Sequence, residues 1–142
     1  MISGYKISCD LDDMDLAIIH GYISKSYWAK NIPIETMQKA IKNSLCFGIF
    51  TEAGEQVAFA RMVTDCATFA YLADVFVLEQ HQGKGLSKWL MTEIVKHPQL
   101  QGLRRMALAT SDAHGLYEKF GFKALQSPSS FMELHKPDVY KY

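Results

Sequence analysis

The 142-residue sequence has no surplus of either charge: fifteen lysine and arginine residues balance fifteen aspartate and glutamate residues. Nucleic-acid binders usually carry a basic excess, so the balance argues against a nucleic-acid partner. No apolar run reaches the roughly 18 residues of a membrane span, which argues against a membrane partner. The opening stretch, "MISGYKISCDLDDMD", has neither the apolar core of a signal peptide nor the arginine-rich, acid-poor character of a transit peptide. Cysteine is scarce. Cys9, Cys46 and Cys66 are odd in number, widely spaced and without a CxxC pair. They read as reduced thiols, mostly in the core, of a cytoplasmic protein with no metal site. There is also no internal repeat, low-complexity tract or long linker, which leaves a single domain spanning 1–142.

About half of the chain is apolar, ordinary for a globular protein able to bury one core. "YKISC" (5–9) reads as a short strand. "DDMDLAIIHGYIS" begins with carboxylates suited to a helix N-terminus and places Leu16, Ile19, His20 and Ile23 on one face. "SYWAKNIP" interrupts it, and "IETMQKAIKNS" is a second amphipathic helix with Met37, Ala40 and Ile41 inside. Two strands, 45–51 and 56–65, flank the turn "EAGE" as a hairpin. "FAYLADVFVL" (69–78) is almost wholly apolar, which predicts a central strand buried on both faces. A helix over 86–96 turns Leu86, Trp89, Leu90 and Ile94 to one side and stops at His97-Pro98. A strand (104–110) and a helix (112–120, capped by Gly121) follow. "FKAL" (122–125) and "SFMELHK" (130–136) are expected to close the sheet. The order is β-α-α-β-β-β-α-β-α-β-β, an α/β chain with a mixed sheet and at least one parallel crossover.

Between the central strand and its helix lies "HQGKGLS". Glycine weakens a helix by roughly 1 kcal/mol relative to alanine, so two glycines here serve the backbone. A loop that leaves a buried strand and enters a helix presents free N–H groups and partial positive charge, suited to a phosphate or pyrophosphate. A tight turn without ligand is the other reading. The spacing matches neither GxxxxGK[ST] nor GxGxxG, which disfavours nucleoside triphosphates and dinucleotides.

The segment Gln82-Gly83-Lys84-Gly85-Leu86-Ser87 resembles the Q/R-x-x-G-x-G/A acyl-coenzyme-A loop of the GNAT superfamily of N-acyltransferases, with Val77 five residues before it. Ser87 stands where glycine or alanine is usual. "GLYEKFGF" (115–122) resembles the superfamily's late "LYEKLGF" signature. The element order is also similar, and the resemblance is strongest from 69 to 125.

That resemblance implies transfer of an acetyl or other acyl group from acetyl-coenzyme A, a co-substrate, to a primary amine, with no metal. Main-chain N–H groups of Gln82, Gly83, Lys84, Gly85, Leu86 and Ser87 would hold the pyrophosphate. The pantetheine arm would lie beside Val75, Phe76 and Val77 as an added strand. Lys84 either adds charge near the phosphates or is a solvated loop residue. Tyr117 would protonate the departing thiolate. Asp74, a carboxylate in an apolar strand, would take the amine proton, bind a cationic substrate or pair with Arg61. For the acceptor, Tyr27 and Trp28 on the connection between the first two helices and Arg61 on its strand are the candidates. Two further expectations are a possible homodimer and, as the alternative to an enzyme, a non-catalytic acyl-coenzyme-A sensor or interaction module.

Overall fold

A computed structural model describes residues 1–140. Strand β1 (Tyr5–Ser8) leads to α1 (Leu16–Ile23) and α2 (Ile34–Lys42), then to β2 (Leu45–Thr51), β3 (Gln56–Thr64) and β4 (Phe69–Val77). Helix α3 (Leu86–Lys96), β5 (Arg105–Leu108) and α4 (His114–Glu118) complete the order. The helix starts follow local chemistry. Asp15 caps α1 by accepting the Ile18 N–H, and α2 has Glu35 in its first turn and Lys39 and Lys42 in its last.

The five strands lie in the order β1-β2-β3-β4-β5. The first three pairings are antiparallel. The last is parallel, made possible by the crossover through α3. One face of the sheet packs on α3, with Phe47, Ala60, Met62, Ala70 and Leu72 meeting Leu86, Leu90, Met91 and Ile94. The other face takes α1 and α2, where Cys46, Phe59 and Phe76 meet Ile19, Ile23, Met37 and Ile41.

Two features of β4 shape the site. Arg61 pairs with Ala73 and Phe59 with Phe76, so Asp74 and Val75 together oppose Ala60. This is a bulge, and Asp74 takes a left-handed φ of 56° within it. The extra residue reverses the alternation. Ala70 and Leu72 face α3 before it, whereas Phe76 faces α1 and α2 after it. Secondly, β5 pairs with β4 only from Phe69 to Leu72. Beyond Leu72 the two strands part and leave one edge of β4 open.

Several expectations need correction. Among the described residues no strand follows α4. Residues 122–125 and 131–136 pair with nothing, and Ser130 lies in a one-turn helix with Pro128 and Ser129. Apolar alternation marks a segment able to be a strand, but a strand forms only where an edge receives it. The central strand is not buried on both faces. Its first half exposes Phe69 and Tyr71, because α1 and α2 cover only the half beyond the bulge. Of the three thiols only Cys46 is in the core; Cys9 and Cys66 are exposed.

Candidate active site

The glycine loop is a constructed turn. After Val77 the chain makes one short helical turn (Glu79–His81), and the Gln82 side chain reaches back to donate to the Val77 carbonyl at 3.0 Å. Gly83 and Gly85 take left-handed φ angles of 79° and 84°. A Cβ on Gly83 would meet no protein atom within 4 Å, and one on Gly85 would meet only Ile2 Cδ1 at 3.7 Å. What the protein itself requires of these glycines is therefore backbone conformation rather than room. Gly85 ends the turn and begins α3 without a side-chain cap. The N–H groups of Gly85, Leu86, Ser87 and Lys88 consequently find no acceptor among the described residues.

These donors border an open cleft of ≈ 290 Å³ lined by Val77, Gln82, Gly83, Gly85, Ser87, Lys88 and Leu116, among others. Its floor is the end of β4 and one wall is α4. Lys84 is not in the lining; its ammonium stands 6.0 Å from the centre of the Tyr5 ring. The cation that borders the cleft is Lys88, which the sequence reading passed over. Its position in the first turn of α3, three residues beyond Gly85, was the available signal. Tyr5 also bonds through its hydroxyl to His81 Nδ1 at 2.7 Å, so β1 braces the loop from outside. Nothing local predicts that contact, since the two residues are 76 apart in sequence.

Val75, Phe76 and Val77 follow the bulge on the stretch of β4 whose outer edge is open. The Phe76 ring stacks on Tyr22 with centroids 4.2 Å apart, and Val77 faces the cleft. Main-chain groups along this edge therefore have room for an added extended chain, the Val77 carbonyl being already engaged by Gln82.

Asp74 lies at the centre of a small network. Its Oδ2 accepts from Arg61 Nε and its Oδ1 from the Trp28 indole N–H, both at 2.8 Å. A second Arg61 nitrogen donates to Ser44 Oγ at 3.1 Å. The Asp74 and Arg61 side chains are only 6% and 17% exposed, so the pair is largely desolvated. Of the three roles expected for Asp74, this geometry matches the pairing with Arg61, since both carboxylate oxygens are engaged. Arg61 and the Trp28 indole N–H are drawn into the same contact. Ser44, at the end of the α2–β2 turn, was missed and carries no sequence signal. The Cys46 thiol beside this network is pushed up to about 12, chiefly by burial, and is chemically quiet.

Tyr27 is largely exposed, and its ring meets Trp28 edge-on. Its hydroxyl bonds to Ser111 Oγ at 2.9 Å, on the loop between β5 and α4. The α1–α2 connection thus touches both sides of the gap where β4 and β5 part, through Trp28 on one side and Tyr27 on the other. Tyr117 is the buried residue of α4, whereas Leu116 and Phe120 are half-buried. This reverses the expected face of the helix. The Tyr117 hydroxyl has no hydrogen-bond partner among the described residues, and its pKa is raised, mainly by burial and then by the Asp112 carboxylate and Tyr27. It stays a protonated phenol across the neutral range. Thr110 is occupied in holding the start of α4, where its hydroxyl accepts from the Ala113 N–H. His20 is satisfied by the Ile32 carbonyl at 2.8 Å.

Among the described residues no group of three or more histidine, cysteine or carboxylate side chains gathers to hold a metal, and no helix is long and apolar enough to cross a membrane.

The sheet is thus mixed and split between its fourth and fifth strands, with a glycine turn and a bare helix N-terminus at the split. The acetyltransferase (GNAT) domain model matches residues 42–124, and the chain belongs to the GNAT acetyltransferase family. A Gibberella zeae protein whose name assigns it provisionally as an acetyltransferase is 32% identical over 137 residues, covering 81% of this chain and 76% of its own. A GNAT-family protein from Xanthomonas campestris pv. campestris is 50% identical, with a TM-score of 0.96 and all of both chains covered. A Clostridium acetobutylicum protein crystallised with acetyl-CoA shares the fold alone, at 15% identity and a TM-score of 0.66 over 92% of this chain and 94% of that one.

Proposed function

We propose that this chain transfers an acetyl group from acetyl-coenzyme A to a primary amine of a small molecule or peptide, by direct attack of the amine on the thioester. The observation that carries the reading is the row of unpartnered N–H groups from Gly85 to Lys88, set beside the open edge of β4. A pyrophosphate satisfies those donors and the helix dipole together, and Lys88 adds a cation at the same wall. The extended pantetheine arm then lies along Ala73 to Val77 as a sixth strand would, and brings the thioester to the bulge.

At the bulge the amine nitrogen bonds to the carbonyl carbon, and the carbon–sulfur bond breaks as the intermediate collapses. A main-chain donor of β4 near Val75 stabilises the oxyanion. The amine arrives neutral and its nitrogen gives up a proton to water in the open cleft as the amide forms, while Tyr117, held protonated, supplies the proton that the departing thiolate takes and regains one from solvent. Asp74 acts through Arg61 and Trp28 as a positioning residue that holds the bulge in its left-handed turn, rather than as the base. Tyr27 and Trp28 form the acceptor wall.

The test has two arms. Calorimetry should show acetyl-coenzyme A binding to the intact chain while ATP binds weakly or not at all. A panel of primary amines should then release free thiol from acetyl-coenzyme A. Binding without release for any amine would favour the sensor reading, and failure to bind acetyl-coenzyme A would reject the proposal.

A further inference from the structure

A second cavity, of ≈ 330 Å³, opens between the one-turn helix Leu11–Asp13 and the last turns of α2. It shares no lining residue with the cleft beside the glycine loop or with the Asp74 network. Its volume lies at the lower end of the range for small-ligand pockets, about 300–1,000 Å³. Leu11, Met14, Leu16 and Ile41 form its apolar walls, and Leu11 is 40% exposed. The walls are fixed from behind. Gln56, buried at the start of β3, donates to Met14 Sδ at 3.8 Å and accepts from the Asp15 N–H at 2.8 Å. The Ile41 carbonyl accepts from the Cys46 thiol at 3.6 Å.

Asp12, Gln38 and Lys42 complete the lining. Asp12 belongs to a run of carboxylates whose other members are occupied within the chain. Asp10 accepts from the Asp12 N–H, Asp13 from the Ser8 hydroxyl and Asp15 from the Ile18 N–H. The Asp12 carboxylate itself has neither a hydrogen bond nor an ion pair among the described residues. The same holds for the Gln38 amide and the Lys42 ammonium. Two opposite charges thus border one cavity without meeting each other. A ligand of one sign would engage only one of them. A ligand that carries both signs gains two charge-assisted hydrogen bonds, and an apolar group on the same molecule gains the walls.

We propose that this cavity binds a free α-amino acid with an aliphatic side chain. Its ammonium meets Asp12, its carboxylate meets Lys42, and its side chain lies against Leu11, Met14, Leu16 and Ile41. Gln38, both donor and acceptor, serves either charged end. An α-amino acid holds both charges and an apolar group within a few bonds, the complement of this lining, whereas a peptide separates its two termini. The site stands apart from the proposed acyl transfer, since none of its residues takes part in that chemistry.

The probe is L-leucine, titrated into the full chain without coenzyme, so that the result does not depend on acyl transfer. Calorimetry reads how tightly it binds, and amide NMR of the labelled protein reads where. We expect saturable binding with a Kd of about 1 mM or tighter. The largest amide shifts should fall at residues 11–16 and 38–42. Isoamylamine lacks the carboxylate and isocaproate lacks the ammonium. Each should bind at least about tenfold more weakly, the loss of one charged hydrogen bond. Asp12→Asn and Lys42→Met change exposed side chains that have no partner among the described residues, so circular dichroism and melting should match the parent. Each should weaken leucine binding at least about tenfold. Absence of saturable leucine binding to the parent overturns the proposal. So does isoamylamine or isocaproate binding as tightly as leucine, or leucine affinity that survives both substitutions. Shifts centred on Tyr27 and Trp28 instead would place leucine at the acceptor wall and overturn it equally.

Discussion

Arg61 Nε stands 2.8 Å from Asp74 Oδ2, between adjacent strands, with the opposite oxygen of the carboxylate held by the Trp28 indole. This pair fastens the β4 bulge to β3 and to the α1–α2 connection, so it joins the two sides of the proposed site.

Removing one partner from a largely buried pair leaves the other charge uncompensated. Arg61→Met should therefore lower stability by about 3 kcal/mol in urea unfolding. Asp74→Asn keeps the shape and loses the charge. It should reduce kcat and leave the acidic limb of the kcat–pH profile where it was. A limb that disappears in Asp74→Asn would make Asp74 the base.

Gly85 has a φ of 84°, a region that a β-branched residue does not tolerate. Gly85→Val should weaken acetyl-coenzyme A binding at least tenfold, about 1.4 kcal/mol, while circular dichroism stays that of the parent. Gly85→Asn should lose less, because asparagine visits the left-handed region. Calorimetry on both variants checks the order. Equal affinity in the valine variant and the parent would remove the loop from the binding site.

The Tyr117 hydroxyl makes no hydrogen bond among the described residues, so Tyr117→Phe should fold and melt much like the parent. If the phenol is the general acid, kcat should drop by roughly 10²–10⁴-fold with coenzyme affinity nearly intact. The defect should shrink for an acyl donor whose leaving thiol is more acidic. A defect of the same size with both donors would make Tyr117 a positioning group.

Asp65 closes the β3–β4 turn. Its Oδ1 accepts from the N–H groups of Ala67, Thr68 and Phe69, and its Oδ2 takes the Thr68 hydroxyl. These bonds hold its carboxyl well below the usual carboxylate range. A depressed pKa contributes stability that is complete above the unfolded value near 4 and is lost as pH falls through the folded value. Thermal melts of Asp65→Asn should thus lie below the parent at pH 7, with the gap narrowing as the pH is taken below about 4. A gap that does not depend on pH would show that the charge contributes nothing.

Much of this architecture is legible in the amino-acid sequence. Leu86, Leu90 and Ile94 at helical spacing, Gly54 in the hairpin turn and the capping carboxylate Asp15 act within a few residues of themselves, and all appear where expected. The loop was legible too, and both of its glycines serve the backbone by taking left-handed turns. Lys88 lay within reach of the same reasoning. Ser44, Ser111 and the Tyr5–His81 contact did not, because each meets a partner brought in from elsewhere in the fold.

By itself, then, the sequence determined the types and order of the elements through β5 and α4, the glycine turn and its resemblance to the GNAT family. Those properties depend on periodicity and on neighbours close along the chain. The tertiary structure decided what becomes of Asp74, Tyr27 and the segment after α4. Arg61 and Asp74 are 13 residues apart and are brought together by strand register and a bulge, whereas Tyr27 and Ser111 are 84 apart and meet where the α1–α2 connection reaches the β5–α4 loop. Residues 131–136 have the alternation of a strand and remain unpaired, because a strand is completed by an edge that lies outside its own sequence.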